Sequence, residues 1–138
     1  MTEFKVVIGD AKSHKSYQKV VSDENANNLV GHKIGDKISG HLIGLEGYEL
    51  EITGGSDYCG FPMVKAVNGI GTRKVLAIKG TGLTQKGKGT FQRKRVAMNT
   101  IHEKTAQINI KILKYGHNSI EDALGIKKEV KEEKAEAQ

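Results

Sequence analysis

The chain's 138 residues are 37% hydrophobic and 28% charged, with 22 Lys and Arg against 16 Asp and Glu for a net charge of +6. That length suits one domain with its own core, and the single cysteine, Cys59, excludes an internal disulfide and points to a reducing, cytosolic setting. No run approaches the roughly eighteen apolar residues of a membrane span, and the start Met1-Thr2-Glu3-Phe4 lacks the basic region and apolar run of a signal peptide, so membrane and secreted classes are disfavoured.

Phe4, Val6 and Ile8 alternate with Lys5 and Val7, and the apolar bias returns from Tyr17 to Val21 after a polar turn at Gly9-Asp10-Ala11-Lys12. This predicts a two-stranded hairpin. Ser22 to Asn28 is rich in Asp, Glu and Asn, which predicts a turn or one short helix capped by Ser22 or Asp23, with Leu29, Val30 and Ile34 as anchors. Ile38, Gly40 and Leu42 then fall on one side of a short strand. His32 and His41 have no cysteine or second histidine at ligand spacing, so each reads as an ordinary histidine and no metal site is expected.

The cleanest pattern follows. Tyr48, Leu50 and Ile52 face one way while Glu49, Glu51 and Thr53 face the other, predicting a half-buried strand stopped by Gly54-Gly55. The two glutamates lie on its solvent side and read as structural rather than as an acid/base pair. Arg73 to Lys79 predicts a strand with a buried centre and basic ends emerging at the surface. Gly80 to Gln92 is glycine-rich and predicts a long exposed loop, which in a small domain is usually functional. Val96 and Met98, then Ile108, Ile110 and Ile112, give two further alternating runs. Ser119 to Gly125 has a capping serine, acids in the first turn and a closing glycine, predicting a short helix. The fold class expected is thus all-β, a small closed or partly open barrel of about six strands. It divides into a domain over 1–118, a short C-terminal helix over 119–126 and a charged, disordered tail over 127–138, where like charges recur at four-residue spacing.

Charge is distributed unevenly along this scaffold. The 45 residues from Tyr58 to His102 contain nine Lys or Arg and no Asp or Glu, so the other 93 sum to −3 (13 basic against 16 acidic). One sign concentrated on one segment is the footprint of a surface that meets a polyanion. Arg93, Lys94 and Arg95 are the first candidates for phosphate contacts, then Lys86, Lys88, Arg73, Lys74 and Lys79, with arginine adding bidentate bonds. Phe91, between Thr90 and Gln92, is placed to stack on an unpaired base or pack against RNA backbone, and Tyr58 lies in the same stretch; Phe61, beside Pro62, reads as core. Gly82 to Lys88 fits the first positions of a phosphate-binding P-loop, but Gly89 stands where Ser or Thr must hold magnesium, and no periodic helix follows. Nucleotide hydrolysis is not expected, nor is any cofactor or small-molecule substrate.

The segment Gly47-Tyr48-Glu49-Leu50-Glu51-Ile52-Thr53-Gly54-Gly55-Ser56-Asp57, with Gly60-Phe61-Pro62-Met63 after it, resembles the signature of the archaeal and eukaryotic small-subunit ribosomal protein S-six-e family. The resemblance runs on through Arg73 to Lys79, the basic loop to Arg95, Asn99-Thr100-Ile101 and Gln107 to Lys114, about residues 1–126 in all. It implies a cytoplasmic component of the small ribosomal subunit, a β-barrel without catalytic activity, bound to ribosomal RNA beside neighbouring ribosomal proteins. The short form, without the long basic helical extension of eukaryotic members, looks archaeal. The chain departs from the family where the loop usually carries more arginine and a proline, and at Ala97-Met98. Two readings stand beside this one: a β-barrel enzyme that uses the loop to hold phosphate, and a free-standing RNA-binding protein.

Overall fold

Period-two alternation builds two sheets in the computed structural model, which describes residues 2–84 and 87–125. The strands are β1 (Glu3–Asp10), β2 (Lys15–Ser22), β3 (Lys37–Ser39), β4 (Glu49–Asp57), β5 (Thr72–Ala77), β6 (Gln92–Ala97) and β7 (Thr105–Lys114). Five of them form one sheet in the order β2-β1-β7-β4-β3, and β5 and β6 pair separately as a ribbon. β1 runs parallel to β7 and antiparallel to β2, and β4 is antiparallel to both β7 and β3.

The expected hairpin forms, with Phe4 opposite Val21 and Ile8 opposite Tyr17. One face of the large sheet buries Phe4, Val6 and Ile8 from β1, Leu50 and Ile52 from β4, and Ile108, Ile110 and Ile112 from β7. Helix α1 (Asp23–Leu29) buries Ala26 and Leu29 against this core, so the Asp/Glu/Asn-rich segment is a helix rather than a turn. Ile34 is buried as an anchor; Val30 is exposed. Helix α2 (Ile120–Leu124) follows its cap signals, the Asp122 amide donating to Ser119 Oγ and Gly125 closing the end in the left-handed region.

Two expected details change. The strand at Ile38 ends at Ser39, and Gly40–Ile43 coils into a 3-10 turn in which the Gly44 amide donates to the His41 carbonyl at 3.1 Å. Gly54-Gly55 does not stop β4 but lies within it, beside a register shift between Ile52 and Gly54. A Cβ on Gly55 would sit 2.3 Å from the Gln107 carbonyl oxygen, so glycine there keeps β4 in contact with β7 past the bulge.

The sheets are not closed. β2 and β3 are edges of the large sheet, and the ribbon joins it through isolated bridges, Ser56 with Pro62 and Met63 with Ala97. The fold is therefore mostly β with a short C-terminal helix. The charged tail expected at 127–138 lies outside the described residues.

Candidate nucleic-acid interface

The ribbon is fixed at one end and open at the other. At its base Ala97 and Val96 are buried, the Ala97 amide donates to the Pro62 carbonyl at 2.9 Å, and the Val64 amide donates to the Ala97 carbonyl at 3.0 Å. Next along, buried Asn99 donates from Nδ2 to the Asn68 side-chain oxygen at 2.7 Å and to the Lys65 carbonyl at 3.3 Å, while its Oδ1 accepts from the Gly69 amide at 3.4 Å. One side chain thus ties the 65–69 loop to the foot of β6. Nothing in the charge pattern singles out Asn99; its signal in sequence is its place in the Asn99-Thr100-Ile101 stretch of the family resemblance.

Beyond that foot the cations of both faces meet solvent, while Val75 and Ala77 are half-buried and Gln92, at the far end, is buried. In the antiparallel register Lys74 lies opposite Arg95, Leu76 opposite Arg93, Val75 opposite Lys94 and Arg73 opposite Val96. Directly opposed residues share a face and neighbours alternate. One face therefore carries Lys74, Leu76, Arg93 and Arg95, and the other carries Arg73, Val75 and Lys94. All five cations are exposed, and Leu76 is 58% exposed. This corrects the expectation of a buried centre for the strand at 73–79: among the described residues β5 pairs with β6 alone, leaving Leu76 exposed and Val75 and Ala77 only half-buried. It also moves Arg93, Lys94 and Arg95 from the expected loop onto a strand.

The connection between β5 and β6, residues 78–91, is partly tied down. The Leu83 amide donates to the Gly80 carbonyl at 3.1 Å, and the Gln92 side-chain amide donates to the Thr84 carbonyl. Gly82 has a φ of +77°, and a Cβ on it would lie 2.6 Å from Pro62 Cγ, so the loop folds back onto the only proline of the chain. Lys79 and Lys88 are exposed beside it, and Phe91 is 64% exposed just before β6. Lys86 lies outside the described residues. A strand, not a helix, follows the P-loop-like segment.

Among the described residues, Arg73, Lys74, Lys79, Lys88, Arg93, Lys94 and Arg95 take part in no ion pair; the pairs formed are Lys15–Glu121, His32–Asp36, Lys111–Glu51 and Lys114–Glu49. Arg95 donates only to Thr72 Oγ1, at 3.3 Å. Lys74 facing Arg95 is a like-charge pair that disfavours the ribbon unless an anion lies across it. Alternating cations on two faces of a thin, raised ribbon suit phosphates approaching from either side, and exposed Leu76 and Phe91 offer apolar contact to sugar or base. The charge run named the cations; missed in sequence was Leu76, whose alternation reads as core until its strand is seen to leave it exposed. Among the described residues no three His, Cys, Asp or Glu side chains are grouped to hold a metal ion.

The sequence pattern of the family described as Ribosomal protein S6e matches residues 4–125. A small ribosomal subunit protein eS6 from Methanococcus maripaludis is 47% identical over 113 residues, covering 82% of this chain and 89% of the relative. Proteins of the same name from Archaeoglobus fulgidus and Haloarcula marismortui are 44% identical over 128 residues and 37% over 125, covering 92% and 91% of this chain and 99% and 97% of the relatives.

Proposed function

From the premise that the chain belongs to the ribosomal protein S6e family, we propose that it is a structural constituent of the small ribosomal subunit that docks on ribosomal RNA through the β5–β6 ribbon and the adjoining glycine-rich turn. The family is a ribosomal one, structural and not known for enzymes, and its place is the cytoplasmic ribosome. The observation that supports RNA docking is the set of exposed ribbon cations without carboxylate partners among the described residues. On this reading the large sheet, the Pro62–Met63 bridge and the ribbon act as one partly open barrel wall, rigid at the foot, that presents Arg93, Lys94 and Arg95 with Arg73, Lys74, Lys79 and Lys88 to phosphates. Docking replaces condensed counterions, so it weakens steeply with salt. Neighbouring ribosomal proteins complete the surroundings.

The test is sedimentation of the purified chain with small ribosomal subunits stripped of it. Co-sedimentation at low salt and release at high salt is expected. A chain that stays in the supernatant at low salt contradicts the proposal and favours a role away from the ribosome.

A further inference from the structure

Beside the foot of the ribbon four segments border a groove of about 320 Å³, lined by Tyr58, Phe61, Thr72, Arg95, His102 and Lys104 together with Asp57. We infer that this groove takes a single unstacked nucleotide of the RNA, its base against Tyr58 and Phe61 and its phosphate on Arg95 and Lys104. The inference rests on the proposed RNA partner and adds to it a second, chemically different contact. The ribbon binds backbone, and the groove binds one extruded base.

The aromatic wall is held in place before any ligand arrives. Buried Asp57 accepts from the amides of Cys59 and Phe61 at 3.0 and 2.9 Å through Oδ1, and the Tyr58 amide donates to the Lys104 carbonyl at 2.9 Å. These bonds fix the tight turn that lifts the Tyr58 ring, 67% exposed, out of the sheet. An exposed aromatic on a rigid turn loses little entropy on stacking, and every base offers a π-face. Lys104 Nζ lies 5.9 Å from the Tyr58 ring centre, so the ring already has a cation at its face.

Polarity sets the direction. Arg95, Lys104 and His102 border the groove, whereas Glu3 and Glu103 border the shallow depression that shares Tyr58 and Lys104. A phosphate is drawn to the Arg95 side and repelled from the other. The Asp57 carboxylate is the one acid in the groove, and its Oδ1 is occupied by backbone amides. The volume falls within the roughly 300–1,000 Å³ of small-ligand sites, at the end that suits one nucleotide rather than a stack.

The test titrates the isotope-labelled full chain with adenosine 5′-monophosphate, with inorganic phosphate and with a blunt RNA duplex, following backbone amide resonances. Adenosine 5′-monophosphate should shift the amides of Tyr58, Thr72, Arg95 and Lys104 saturably, and bind at least about fivefold tighter than phosphate. Tyr58→Ala should lower that affinity about fivefold or more, while Tyr58→Phe retains it. Because the ring is exposed, unchanged resonances in β1, β4 and β7 will show that both variants fold. Equal affinity for the nucleotide and phosphate, or a Tyr58→Ala variant that binds as the parent does, overturns the groove. The duplex, which has no extruded base, should shift the β5–β6 amides and spare Tyr58; its failure to touch the ribbon counts against RNA docking itself, and the nucleotide titrations still decide the groove.

Discussion

On the large sheet, Glu49 and Glu51 of β4 meet Lys114 and Lys111 of β7 at 3.0 and 2.9 Å; on the ribbon, Lys74 of β5 meets Arg95 of β6. The strand geometry is the same and the charge logic is opposite. The sheet pairs opposite charges across its β4–β7 ladder and buries its other face, so these residues serve stability. The ribbon leaves its cations exposed on both faces and without carboxylate partners among the described residues, and so holds in reserve an attraction that an external anion satisfies. The difference shows in Glu51 as well: a hydrogen bond from Lys111 comes first and, against some burial, holds its carboxyl below the usual range, with Lys65 and Lys37 adding to the pull.

This contrast breaks if damage to one region acts like damage to the other. Ile110→Ala, in the middle of β7, removes buried methyl groups and should cost about 2–5 kcal/mol in urea unfolding, yet leave the salt dependence of RNA binding unchanged in the fraction that stays folded. A shallower salt dependence in this variant would mean that the sheet carries RNA contacts too.

A second, smaller loss belongs to the far end of the sheet. Burial pushes the Asp10 carboxyl up, but hydrogen bonds from the Tyr115 and Ser13 hydroxyls and the Lys12 and Ser13 amides outweigh it and hold the group below its ordinary 3.8. A depressed carboxylate contributes stability that is fully present above its unfolded value and is lost as pH falls through the lower folded value. Asp10→Asn should therefore be less stable than the parent at pH 7 by about 1–2 kcal/mol, and the gap should narrow as pH drops below the usual carboxylate range. A gap that is constant down to pH 2 would contradict this account of Asp10. RNA binding should not change.

The smallest effect is the most pointed. Lys74→Glu sets a carboxylate opposite Arg95 and should stabilise the ribbon by a few tenths of a kcal/mol, read as slower amide exchange in β5 and β6, while weakening RNA association. Stability and binding that fall together would show that Lys74 supports the ribbon by packing.

The sheet was legible because its signal is periodic. Tyr48, Leu50 and Ile52 are all buried as their spacing requires, and so are Phe4, Val6 and Ile8. What was not legible depends on which strands lie next to each other. Gly54-Gly55 reads as a stop because a glycine pair usually ends a strand, and only the approach of Gln107 makes glycine necessary inside one. Val75, Leu76 and Ala77 read as core because apolar residues usually have a layer to cover them, and here, among the described residues, β5 has one partner strand and Leu76 is left exposed with Val75 and Ala77 half-buried. Arg93-Lys94-Arg95 carries no apolar alternation at all, so its strand comes from pairing with β5 rather than from its own residues. The cations themselves were plain in the sequence; the two faces they occupy come from the register.

The central claim is that unmatched ribbon cations do the docking, and the most direct measurement is the slope of log affinity against log salt for small-subunit ribosomal RNA, for the parent chain and for Arg93→Ala/Lys94→Ala/Arg95→Ala. With about 0.9 of slope per duplex phosphate neutralised, the triple variant should lose about 2 to 3 of slope while keeping its unfolding midpoint. A folded triple variant with the parent's slope would contradict the account.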